Sequence, residues 1–149
     1  MAKIYIKNYT TDKPVHETVG EIQQLLAQNG AKGIYFDYGE AGLLRGIIFQ
    51  FDYQGQTLSF KLPAKVDAAY EALFKGMQGE YRYGKDRREK AAKVAWRVCL
   101  LWVQAQLTHV NLQQAELAEV FLPYLMVGKD QTLFENMRDT KFQLKAPEQ

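Results

Sequence analysis

A chain of 149 residues, 47% hydrophobic and 24% charged, is long enough to bury a core without disulfides or metals and too apolar to stay disordered. The formal net charge is only +2, so any claim on an anionic partner has to come from where the charge sits. The single Cys99 excludes an internal disulfide framework, no signal-peptide apolar stretch follows residues 1–5, and the apolar run 98–103 is too short to span a bilayer. Together these features fit a reducing cytoplasm and no membrane.

Residues 3–7 alternate, with Ile4 and Ile6 on one side and Lys3, Tyr5 and Lys7 on the other, which predicts a short N-terminal edge strand. After a polar loop with Pro14, Thr18 and Glu21 have the spacing of a capping box. The helix they open has Val19, Ile22, Leu25 and Leu26 on its apolar side and ends at Asn29-Gly30. From 32 to 62 the period changes to two. Ile34, Phe36 and Tyr38, then Ile47, Phe49, Phe51 and Tyr53, then Leu58, Phe60 and Leu62 alternate with polar neighbours, with turns at 39–42 and Gln54-Gly55. That pattern predicts a three-stranded antiparallel meander with one face on helices. Pro63 ends it, and Asp67 caps a helix to about Gln78 whose apolar side includes Tyr70, Leu73, Phe74 and Met77.

Residues 85–110 hold no Pro or Gly and are rich in good helix formers. On a helix, Asp86, Lys90, Lys93, Arg97, Gln104 and Thr108 share one narrow stripe, expected to be wet, and most of the rest is apolar. Trp96 and Trp102 lie on opposite flanks, both expected to be buried. A helix apolar around most of its circumference must be covered on most sides, which makes this the central helix. A shorter helix at 115–121 breaks at Pro123, and Thr132 with Glu135 forms another capping box. The tail from about 145 is expected to be disordered. With no repeat and no long linker, the reading is a single α+β domain over 1–149: a small antiparallel sheet packed on helices.

The charge is most uneven at the start of the long helix. Arg82, Lys85, Arg87, Arg88, Lys90, Lys93 and Arg97 stand against Asp86 and Glu89, a local balance of +5 that leaves −3 for the rest of the chain. Lys90, Lys93 and Arg97 form a row able to follow a phosphate backbone, and Tyr81 and Tyr83 beside them could stack on exposed bases. The structural counter-reading is a solvated helix end, and cations at a helix N-terminus oppose the macrodipole. The candidate nucleic-acid-binding residues are therefore Tyr81, Arg82, Tyr83, Lys85, Arg87, Lys90, Lys93 and Arg97. Catalytic and metal chemistry finds little support. His16 and His109 have no second ligand at helical spacing, Cys99 lacks an activating neighbour, and no glycine-rich phosphate loop follows a strand. No catalytic residue, metal or cofactor is expected.

The order helix, meander, helix from Thr18 to Gln78 is similar to the topology of double-stranded-RNA-binding domains. In that family the basic motif opens the helix directly after the third strand, whereas here 67–78 intervenes and Lys65 is the only lysine at its start. A broader resemblance rests on Thr18-Val19-Gly20-Glu21-Ile22, Phe60-Lys61-Leu62-Pro63, Val94-Ala95-Trp96-Arg97 and Phe121-Leu122-Pro123-Tyr124. These look like segments of small uncharacterised proteins encoded by bacteriophages and related mobile elements. That resemblance implies a bacterial cytoplasm and a phage-like setting, but no activity, cofactor or site residue. The function expected is a non-enzymatic, nucleic-acid-associated accessory protein using the basic helix start. The alternative is a protein-binding module that inhibits or recruits a host or phage protein, through the Tyr/Phe-rich sheet edge.

Overall fold

The first helix, α1 (Val15–Gln28), begins directly after Pro14, whose extended backbone and free carbonyl receive the first helical amides, those of Glu17 and Thr18. The computed structural model describes residues 5–74 and 84–144, with the backbone alone at 84–86. The chain leaves α1 through Asn29 and Gly30, the latter at φ 104°, a left-handed conformation that glycine adopts without strain.

The meander follows as β1 (Gly33–Tyr38), β2 (Leu44–Tyr53) and β3 (Gln56–Pro63), antiparallel in the order β1-β2-β3. Gln54 and Gly55, both at positive φ, make the two-residue turn whose twist suits a hairpin. In register, Ile34, Phe49 and Phe60 stand side by side on one face, as do Phe36, Ile47 and Leu62. The opposite face carries Tyr35, Ile48 and Lys61. Alternation read from the sequence therefore sets the strands and the buried face.

Beyond the sheet, α2 (Val66–Phe74) packs against α3 (Gly84–Asn111), and α3 also packs against α1. Trp96, Leu100, Val103 and Leu107 of α3 share one core with Val19, Ile22 and Leu26 of α1 and with the apolar sheet face. Each such fully buried side chain contributes roughly 1.5–3 kcal/mol before conformational entropy is counted. A smaller cluster joins Val66 and Phe74 of α2 to Ala91 and Ala92 of α3.

The chain then forms α4 (Leu117–Phe121), a 3-10 turn (Leu122–Tyr124), the short pair β4 (Met126–Gly128) and β5 (Gln131–Thr132), and α5 (Leu133–Asp139). Phe121 seals the aromatic core against Phe49, Phe60 and Trp102 at ring separations of 5.1, 5.8 and 5.6 Å. Leu125 makes a backbone bridge to Phe60, so this C-terminal unit lies along the outer edge of β3.

The architecture is the expected α+β arrangement with a long central helix, and several local expectations change. Residues 5–10 form no strand. Asn8 turns the chain at φ 64°, and Lys90 of α3 binds Thr11 further along; Lys3 and Ile4 lie outside the described residues. Thr18 is not a cap but a fully buried residue within α1, and its supposed box partner Glu21 is drawn instead to Arg97. Thr132 does cap, with its hydroxyl and amide reciprocally bonded to Glu135. Trp96 is fully buried, but Trp102 only half so, resting edge-on against Phe121 and Tyr124. The β4–β5 pair was not expected, and the tail from 145, like Met77 and Gln78, lies outside the described residues.

Candidate binding surface

Three members of the basic helix start, Tyr81, Arg82 and Tyr83, lie outside the described residues, and Lys85 is placed only as a position on α3. The others are largely engaged within the chain. Arg87 lies over the Phe74 ring at 5.8 Å, its Nε buried without a hydrogen-bond partner. Arg88 donates to Asp67 at 2.8 Å and lies over Tyr70 at 5.3 Å, both on α2. Lys90 donates to the Thr11 carbonyl at 2.5 Å and reaches Asp12 at 3.4 Å, leaving its side chain 14% exposed. Arg97 donates to Glu21 at 3.1 Å and Thr18 at 3.4 Å. Within the stripe expected to be wet, Lys90 meets the N-terminal turn and Arg97 meets α1, while Gln104 and Thr108 are exposed. Lys93, half-buried, has no ion-pair partner among the described residues.

Lys93 stands instead on the wall of a half-open groove of about 830 Å³. One wall is α1, with Val15, Val19 and Gly20; another is the inner side of β1, with Phe36 and Tyr38; α3 contributes Ala92 and Trp96 to the apolar lining. Polar groups are few: His16, Gln23, Arg88, Glu89 and Lys93. A concave, mainly apolar space with a handful of polar groups is the usual form of a binding site.

Along this groove runs β1, the terminal strand of the sheet. On the side away from β2, no described strand pairs with it. Alternate backbone N–H and C=O groups of such a strand face outward and can accept another chain. Its one charge, Asp37, is turned onto Arg45 at 3.1 Å and Lys61 at 3.2 Å. Burial works against ionisation of that carboxyl, but the two cations outweigh it and hold it below the usual range. Tyr38 and Leu43 at the groove's end are exposed, at 60% and 45%.

A second cleft, of about 760 Å³, lies between the end of β3 and α5 and contains Asp37, Arg45, Lys61 and Glu135. The amide and hydroxyl of Thr132 hold the Glu135 carboxyl below its ordinary value. Asp37 is neutralised by Arg45 and Lys61, and the Thr132 hydroxyl that donates to Glu135 at 2.9 Å belongs to the cap of α5.

His16 and His109 are both exposed, and among the described residues no group of three His, Cys, Asp or Glu is placed to hold a metal. The Cys99 sulfur lies 3.8 Å from the Pro63 carbonyl, and burial pushes the thiol up to about 11. The groove was invisible to sequence reading because its walls come from residues 15–20, 36–44 and 88–96, which no local pattern links. The one available signal was the aromatic content of β1. No protein-family model matches the chain, and no curated protein or solved structure matches it.

Proposed function

We propose that this chain is a non-catalytic protein-binding module that takes an extended segment of another protein onto the outer edge of β1. The observation that carries the reading is a strand edge that no described strand pairs, running along an apolar groove. Strand addition uses those two features together: backbone hydrogen bonds supply affinity and a groove selects alternate side chains. The edge also lacks the Pro, Lys or free inward charge with which sheets ordinarily discourage such pairing. In the phage or mobile-element setting that the sequence resemblance implies, the partner is a host or phage protein.

The nucleic-acid reading loses support from the internal bonds of Lys90 and Arg97. Phosphate contacts there would have to displace partners already in place. Hydrogen exchange on the full chain tests the choice, with peptides selected from a random library and a mixed-sequence oligonucleotide as probes. Slowed exchange at 33–38 on adding a selected peptide is the expected result. Oligonucleotide binding that falls steeply with salt and protects the start of α3 instead would overturn it.

A further inference from the structure

We infer that the captured segment presents a bulky apolar side chain to the groove and, one or two residue pairs along the same face, a carboxylate to Lys93. This rests on the strand-addition reading above and names the chemistry of its partner. Three independent features of the groove lead to it.

The first is a glycine. Gly20 sits in the middle of α1, where glycine costs about 1 kcal/mol relative to alanine. A Cβ built there meets nothing within 4 Å, so no neighbour inside the chain demands the small residue. Gly20 lines the groove, and its bare backbone keeps the α1 wall open for a side chain from outside.

The second is shape. A volume of about 830 Å³ lies in the upper part of the range that encloses a drug-sized ligand, so it has room for more than one side chain. On a strand laid along β1, residues i and i+2 point to the same face, roughly 6.5–7 Å apart. Both would enter the groove, one against Phe36 and Trp96.

The third is charge. Arg88, Lys90 and Arg97 of the same helix each have an acidic partner, whereas Lys93 has none among the described residues. Its side chain is half-buried on the wall of a mainly apolar groove, where a carboxylate gains more than it would in open water. Glu89, one turn earlier on α3, opposes this, but it is exposed and therefore more strongly screened. The balance favours an acidic residue, or a C-terminal carboxylate, over a basic one.

The experiment pans a random dodecapeptide library on the wild-type chain, then measures a fluorescent copy of the leading peptide against wild type, Lys93→Glu and Gly20→Phe. Selected peptides are expected to share an aromatic or large aliphatic residue and an Asp, Glu or free C-terminus two to four positions away. Lys93→Glu should weaken the leading peptide at least tenfold and recover when that peptide's acid is changed to Lys. Gly20→Phe should abolish binding while thermal unfolding shows the chain still folded. Peptides that protect β1 in hydrogen exchange but lack an acidic preference, and bind Lys93→Glu as wild type, would overturn this inference and leave strand addition standing. Selected peptides that leave β1 exchange unchanged, or no selected peptide at all, would overturn both.

Discussion

Replacing Lys90, Lys93 and Arg97 one at a time with methionine separates a structural role for this row from a role in binding anions. Methionine keeps an unbranched apolar stem and removes the charge. At Lys90 the loss is a charged hydrogen bond to the Thr11 carbonyl from a side chain only 14% exposed. Such bonds contribute about 1.5–3 kcal/mol, so Lys90→Met should destabilise by that amount. Asp12 adds little, since its side chain is 90% exposed and its attraction is screened. Arg97→Met loses bonds to Glu21 and Thr18, but the Glu21 side chain is 38% exposed, and a cost of about 1 kcal/mol is expected. Lys93→Met should stay within about 0.5 kcal/mol of wild type. Urea unfolding followed by tryptophan fluorescence measures all three. The reasoning fails if Lys90→Met is neutral, or if Lys93→Met costs as much as Lys90→Met.

Trp96→Ala, at a fully buried site, should cost about 3–5 kcal/mol, and half-buried Trp102→Ala clearly less, by urea midpoint. Gly20→Ala should raise stability by up to about 1 kcal/mol, read as a higher urea midpoint, because the new methyl meets open space within a helix. Asp37 and Glu135 have folded carboxyls held below their ordinary values, so the stability they supply is complete above the usual carboxylate range and is lost as pH falls through the lowered values. The acid limb of a stability–pH curve should accordingly be shallower in Glu135→Gln than in wild type. Cys99, with its thiol pushed up to about 11 from an ordinary 9.0, should react with iodoacetamide at pH 8 on the order of a hundredfold more slowly than a free cysteine, read by mass spectrometry.

Much of the fold was legible because it depends on local periodicity. Alternation over 32–62 gave the strands and their buried face, and the unbroken helix-forming run at 85–110 gave α3 to within a residue at each end. What was not legible depends on partners distant in sequence. The spacing of Thr18 and Glu21 is that of a capping box, yet both side chains meet Arg97, seventy-odd residues away. The basic row has the spacing of a solvated face, yet residues 11–12 engage Lys90 and α1 engages Arg97. A helical stripe records which residues share a side, not what lies opposite. Of the strand expected at 3–7, the described residues 5–7 are not in a strand, and a left-handed turn at Asn8 and the bond from Lys90 to Thr11 follow directly.

The two edges of the sheet are treated differently, and that difference bears on function. At β3 the C-terminal unit supplies the Leu125 bridge to Phe60, and Phe121 and Tyr124 bring aromatic surface behind it. A chain able to build such a cover from a 3-10 turn and a short hairpin has the means to close an edge. At β1 the described residues supply no equivalent, and the strand register shifts only at its far end, between Asp37 and Tyr38. Beneath that edge the core is also incomplete: Phe36 is only half-buried where its sheet neighbours Ile47 and Leu62 are fully or nearly so. An added strand would extend the ladder and cover Phe36 at once, so the backbone and apolar requirements of this edge are met by the same occupant.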